Sequence, residues 1–139
     1  MPWSFDDNLP IYLQIIQILK CDLARGKYLP GEKLPAVREL AMEAGVNPNT
    51  MQKALAELER DGLVKSQRTA GRFVTEDKEK IMEVAKTLAY GEIARMIDNI
   101  SSLGYSTEEI LSLVEKYLTQ SANTIKRSAD QNCREGRIL

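Results

Sequence analysis

The chain has 139 residues, no histidine and two cysteines. Without imidazole the commonest metal ligand is gone. Cys21 and Cys133 stand far apart and form no CxxC pair, so a structural zinc site is not expected. Each cysteine reads as a small apolar filler or a surface thiol rather than a redox centre. There is no glycine-rich phosphate loop and no nucleophile with an evident base, which excludes the usual catalytic constellations. The expectation is a protein that is not an enzyme and takes no metal or cofactor. Long apolar runs are missing too: no stretch approaches the roughly 18 residues needed to span a bilayer. Asp6 and Asp7 stand where a signal peptide would carry positive charge. A soluble, cytoplasmic chain with no membrane partner is expected.

Positive charge is also in short supply. The net charge is −1, residues 1–75 holding 10 Lys and Arg against 9 Asp and Glu. Any partner bound through phosphates must therefore be met by a local basic surface, because Lys and Arg supply most non-specific affinity for nucleic acid. What is present is ordinary globular material, with 43% hydrophobic and 28% charged residues.

Periodicity organises that material. From Pro10 to Gly26, the residues Ile11, Ile15, Ile18, Leu19 and Leu23 keep one helical face apolar, with proline suited to the first turn and glycine to the end. The segment KYLPGEKLP is turn chemistry. Pro35 opens a second helix with Val37, Leu40, Ala41 and Ala44 inward, closed by Gly45. Asn47 is a good N-cap and Pro48 a good first-turn residue, so a third helix is predicted from there to about Asp61, with Met51, Ala54, Leu55 and Leu58 buried. Gly62 ends it. Leu63 to Gln67 and Arg72 to Thr75 read as strands of a β-hairpin turning through residues 68–71. After Glu76 helical periodicity runs on for roughly 25 residues, until Gly104. Another helix follows, headed by Ser106 and Glu109 as a capping box. The last 19 residues carry no sustained pattern and read as a frayed helix or tail.

The predicted fold is thus mostly α with a small β-hairpin: a winged helix-turn-helix over residues 9–76, then two helices within residues 77–139. Helices two and three with the Gly45 turn have the dimensions of a helix-turn-helix, whose second helix enters the major groove of double-stranded DNA. Opposite the Met51 stripe, helix three collects Asn49, Gln52, Lys53, Ala56 and Arg60. Asn49, Gln52 and Lys53 are the candidate base readers, amides suiting adenine and lysine guanine. Thr50 lies to one side, and it and the helix N-terminus at Asn47, Pro48 and Asn49 suit phosphate. Arg68 and Arg72 flank Thr69, Ala70 and Gly71 as a basic hairpin tip for backbone or minor groove. With Arg38 and Lys65 these residues form the local positive surface. A winged helix that binds only another protein is the alternative reading.

The residues themselves resemble a family. PIYLQI, then GKYLPGEKLPAVRELAMEAGVNPNTMQKALAELERDGLV, then AGRFV are similar to the N-terminal domain of GntR-type bacterial regulators, almost without gaps from residue 9 to about 76. The resemblance implies a transcription regulator in which Leu34–Lys53 is the helix-turn-helix. Arg38 would hold backbone or a guanine edge, Asn47 to Thr50 and Gln52 would line the groove, and Arg68 to Arg72 would be the wing. Two departures stand out: Ala36 where a serine is common, and a wing whose usual paired glycines survive only as Gly71. The short second half resembles the YtrA-type subfamily. Two amphipathic helices cannot bury their apolar faces alone. Docking on the first domain and pairing with a second subunit are both open, and the resemblance favours a homodimer. A two-fold dimer that represses by covering a promoter would bind an inverted-repeat operator. A small-molecule effector is left open, with no cluster of ligand-type residues to place it.

Overall fold

The computed structural model describes residues 3–121. Along them run α1 (Ile11–Ala24), α2 (Val37–Ala44), α3 (Pro48–Arg60), the antiparallel strands β1 (Val64–Gln67) and β2 (Gly71–Val74), α4 (Lys78–Ser101) and α5 (Thr107–Ser121). This is the mostly helical winged architecture expected. The tail beyond Ser121 and Cys133 lie outside the described residues.

The first three helices and the hairpin share one core. Ile15, Leu19 and Leu23 of α1, Leu40, Ala41 and Ala44 of α2, the α3 stripe Met51, Ala54, Leu55 and Leu58, and Leu63, Val64 and Val74 form a single buried cluster. Each large side chain so buried contributes about 1.5–3 kcal/mol. Ile11 departs from the predicted stripe, being 43% exposed in the first turn of α1. Gln14 takes the inward position instead. Its Oε1 accepts from the Asp6 N–H at 2.8 Å, and its amide donates to the carbonyls of Asp6 and Leu9 at 2.8 and 3.0 Å. Glutamine is tolerated inside because the preceding loop satisfies it. The same loop folds Trp3 and Phe5 onto the core.

The segment between α1 and α2 is more than a turn. Lys33 pairs with Phe73 as an isolated bridge, and the Val74 N–H donates to the Glu32 carbonyl at 2.8 Å and the Leu34 N–H to the Arg72 carbonyl at 2.9 Å. A third short edge is thereby added to the hairpin. It also corrects the start of helix two: the pairing holds the chain extended through Ala36 (φ −63°, ψ 155°), so α2 begins at Val37 rather than Pro35.

Asp77 caps α4, its Oδ1 accepting from the N–H groups of Glu79 and Lys80. The start of α4 lies against α1, and Ile81 and Val84 reach the core. No residue of this 24-residue helix is fully buried. At α5 the capping box is complete: the Glu109 N–H donates to Ser106 Oγ at 3.2 Å, and the Ser106 N–H to Glu109 Oε1 at 3.0 Å. Hydrogen bonding of the Glu109 carboxyl, first to the Ser106 backbone N–H and then to the Ser106 side chain, holds it below its ordinary pKa. Only Ile110 of α5 is buried, while Leu111, Leu113, Tyr117 and Leu118 are exposed. No helix among the described residues is long and apolar enough to cross a membrane.

Candidate nucleic-acid interface

The turn between α2 and α3 consists of Gly45, Val46 and Asn47. Gly45 takes φ 75°, ψ 37°, the left-handed conformation that ends a helix, and the Val46 N–H then returns to the Ala41 carbonyl at 3.0 Å. A side chain at residue 45 would be strained there. Asn47 follows as the N-cap of α3, its Oδ1 accepting from the Asn49 N–H at 2.8 Å, and Pro48 occupies the first turn. The N–H groups of Thr50 and Met51 already bond to the Asn47 carbonyl at 3.0 and 3.2 Å. Asn47 thus caps the Asn49 N–H at the start of α3.

Met51, Ala54, Leu55 and Leu58 anchor α3 in the core, leaving Asn49, Gln52, Lys53, Ala56 and Arg60 exposed on the opposite side. Pro48 is exposed beside them and Thr50 is half-buried at the edge. Lys53 does not extend freely, because its ammonium lies 3.8 Å from the centroid of the Tyr12 ring on α1. Arg38 is exposed on the outer side of α2.

The wing turns through Arg68, Thr69 and Ala70, with Gln67 facing Gly71 and the Ala70 N–H bonded to the Gln67 carbonyl at 3.1 Å. Arg68, Thr69 and Gly71 are exposed. Arg72 is not part of an unprotected tip. It shares a strand face with Val74, which is buried in the core, so its side chain is directed back toward α3. There Nε lies 3.8 Å from Glu59 Oε1, and the Ser66 hydroxyl donates to the same oxygen. Glu59 thus ties the wing to the end of α3. Lys33 was missed in the sequence because it lies in a segment that reads as turn. Its stem passes close over Gly71, where an added Cβ would come within 3.0 Å of Lys33 Cε. Lys33, Arg38, Lys53, Lys65 and Arg68 are all exposed on this part of the molecule.

Thr69 has φ 61°, a left-handed conformation that a β-branched residue rarely adopts. Asparagine tolerates it better. Thr69→Asn is expected to stabilise the chain by about 1 kcal/mol, read as a rise in Tm by thermal unfolding. A fall in Tm would mean that the threonine side chain contributes more than the backbone strain costs.

Comparison with known proteins places this geometry among relatives. Residues 11–74 match the family described as bacterial regulatory proteins, gntR family. The HTH-type transcriptional regulator YhcF of Bacillus subtilis is 37% identical over 114 residues, covering 82% of this chain and 94% of the relative. The HTH-type transcriptional repressor YtrA of the same organism is 38% identical over 104 residues, 74% of this chain and 80% of its own length. Among solved structures, a GntR family transcriptional regulator from Listeria monocytogenes superposes with a TM-score of 0.74 at 39% identity, covering 81% of this chain and 98% of that one.

Proposed function

Because the chain belongs to the GntR family of bacterial transcription regulators, we propose that it is a homodimeric repressor that binds an inverted-repeat operator in the cytoplasm. In this reading residues 9–76 bind double-stranded DNA and residues 77–139 join the subunits. The observation that carries it is the face of α3 opposite the core: Asn49, Gln52, Lys53, Ala56 and Arg60 are exposed on a helix otherwise fixed by Met51, Leu55 and Leu58. Asn49 and Gln52 present amides suited to adenine in the major groove, and Ala56 leaves room for close approach. Arg38 on α2, with Asn47, Pro48 and Thr50 at the rim of α3, meets the backbone. Arg68, Thr69 and Gly71 of the wing reach the flanking strand, while Arg72, held by Glu59, steadies the wing behind them. The similarity to a relative named as a repressor supports the direction of control.

Two observations support the dimer. α4, α5 and the turn between them leave Met82, Tyr90, Ile93, Leu103, Leu111 and Tyr117 substantially exposed. The near-neutral charge gives one copy little general attraction to DNA. Pairing the helices of two copies covers the first and compensates the second, by setting two recognition helices about 34 Å or a multiple apart.

The test is a mobility-shift titration with the DNA upstream of the chain's own gene. A shift is expected at nanomolar to sub-micromolar protein at moderate salt. Asn49→Ala, Gln52→Ala and Arg68→Ala should each weaken it, a true base contact by about 1–3 kcal/mol. No shift below micromolar protein would contradict DNA binding. Unchanged cellular activity in all three variants would favour a winged helix that binds only protein.

A further inference from the structure

The contact between Lys53 and Tyr12 joins the candidate reading helix to the first turn of α1. Lys53 leaves α3 near the middle of its exposed face, yet its ammonium lies 3.8 Å from the centroid of the Tyr12 ring. At that distance the cation is attracted by the ring's negative face. Tyr12 is half-buried and packs against the core cluster, so the ring is a fixed platform. A lysine that reads a guanine must extend ahead of the helix into the groove. Lys53 instead bends back toward α1, which brings its charge to the rim between two helices. The side of the ammonium away from the ring still has N–H donors to offer.

Resting on the DNA-binding reading above, we propose that Tyr12 is a positioning residue. Its ring holds the Lys53 ammonium against the phosphate backbone, so Lys53 contributes affinity and register while Asn49 and Gln52 are left to read bases. The ligand at this point is a phosphodiester of duplex DNA. The role expected of Lys53 from residue type alone, a guanine contact, is thereby replaced. Phosphate and base contacts have different signatures: a phosphate contact weakens binding to every sequence alike and lowers the salt dependence, whereas a base contact changes preference at one position.

The full chain, Tyr12→Phe, Tyr12→Leu, Lys53→Met and the Tyr12→Leu/Lys53→Met double variant are titrated over a salt series. The probes are the upstream duplex and a panel of its single-base-pair variants. Thermal unfolding is measured alongside, and Lys53→Met alters only an exposed residue. Tyr12→Phe keeps the ring and is expected to bind as the parent does. Tyr12→Leu and Lys53→Met are each expected to lose about three- to tenfold in affinity on all duplexes equally. Lys53→Met should lower the slope of log affinity against log salt by about 1 per bound chain. The double variant should be no weaker than Lys53→Met alone. Altered preference at one base pair with an unchanged slope in Lys53→Met, or losses that multiply in the double variant, would overturn the proposal. If the parent chain shifts no duplex at all, the DNA-binding reading fails and the positioning role fails with it.

Discussion

If two copies pair through α5 as proposed, replacing Leu113 and Tyr117 together by glutamate is expected to turn the dimer into a monomer and to weaken operator binding by about a hundredfold or more. Both side chains lie on α5 and are 39% and 54% exposed within one chain. Their replacement therefore costs the isolated chain little, and any large effect must come from what covers them. Burying four carboxylates at a two-fold interface without partners is strongly unfavourable. Once the subunits part, the second recognition helix no longer benefits from the high effective concentration that a linked site provides, typically worth 10²–10⁴ in affinity. Sedimentation and mobility shift read the two consequences separately. A variant that stays dimeric would place the interface elsewhere. A variant that becomes monomeric yet binds DNA as tightly as before would refute the dependence of binding on pairing.

The second large effect concerns the core. Met51 is fully buried at the centre of the α3 stripe, within the cluster that joins α1, α2, α3 and the hairpin. Met51→Ala removes a thioether chain and leaves a cavity among close-packed neighbours, at a cost of about 2–5 kcal/mol. For a domain of this size that corresponds to a fall in Tm of more than about 10 °C. Thermal unfolding monitored by circular dichroism checks it. DNA affinity is expected to fall as well, because Asn49, Gln52 and Lys53 depend on the seating of α3. A loss below about 1 kcal/mol would show that α3 is not fixed by this residue and that the core relaxes around it.

The elements that repeat with a clear period were legible in the sequence. Met51, Ala54, Leu55 and Leu58 mark the buried side of α3 by spacing alone, and Asn47, Pro48 and Gly45 mark its start and the preceding turn by backbone chemistry. Ser106 and Glu109 announced the start of α5 in the same way. What was hidden depends on contacts distant in sequence. Gln14 looks like a surface residue until the Asp6–Leu9 loop supplies its hydrogen bonds. Lys33 and Leu34 sit between prolines and read as turn, although they pair with β2. Arg72 reads as a basic tip, but strand alternation puts it on the face of Val74 and beside Glu59. Lys53 reads as a free side chain because nothing near it in sequence foretells Tyr12, 41 positions earlier. Each miss is a tertiary partner overriding a local pattern.

On the reading proposed above, two copies of the chain read one symmetric site. The direct measurement is in vitro selection of the full chain against a randomised duplex library, followed by the mass of the complex formed with the enriched duplex. An inverted repeat, with half-site centres one helical turn or a multiple apart and two chains per duplex, is the expected result. Enrichment of a single asymmetric site bound by one chain, or no enrichment above the starting pool, would contradict it.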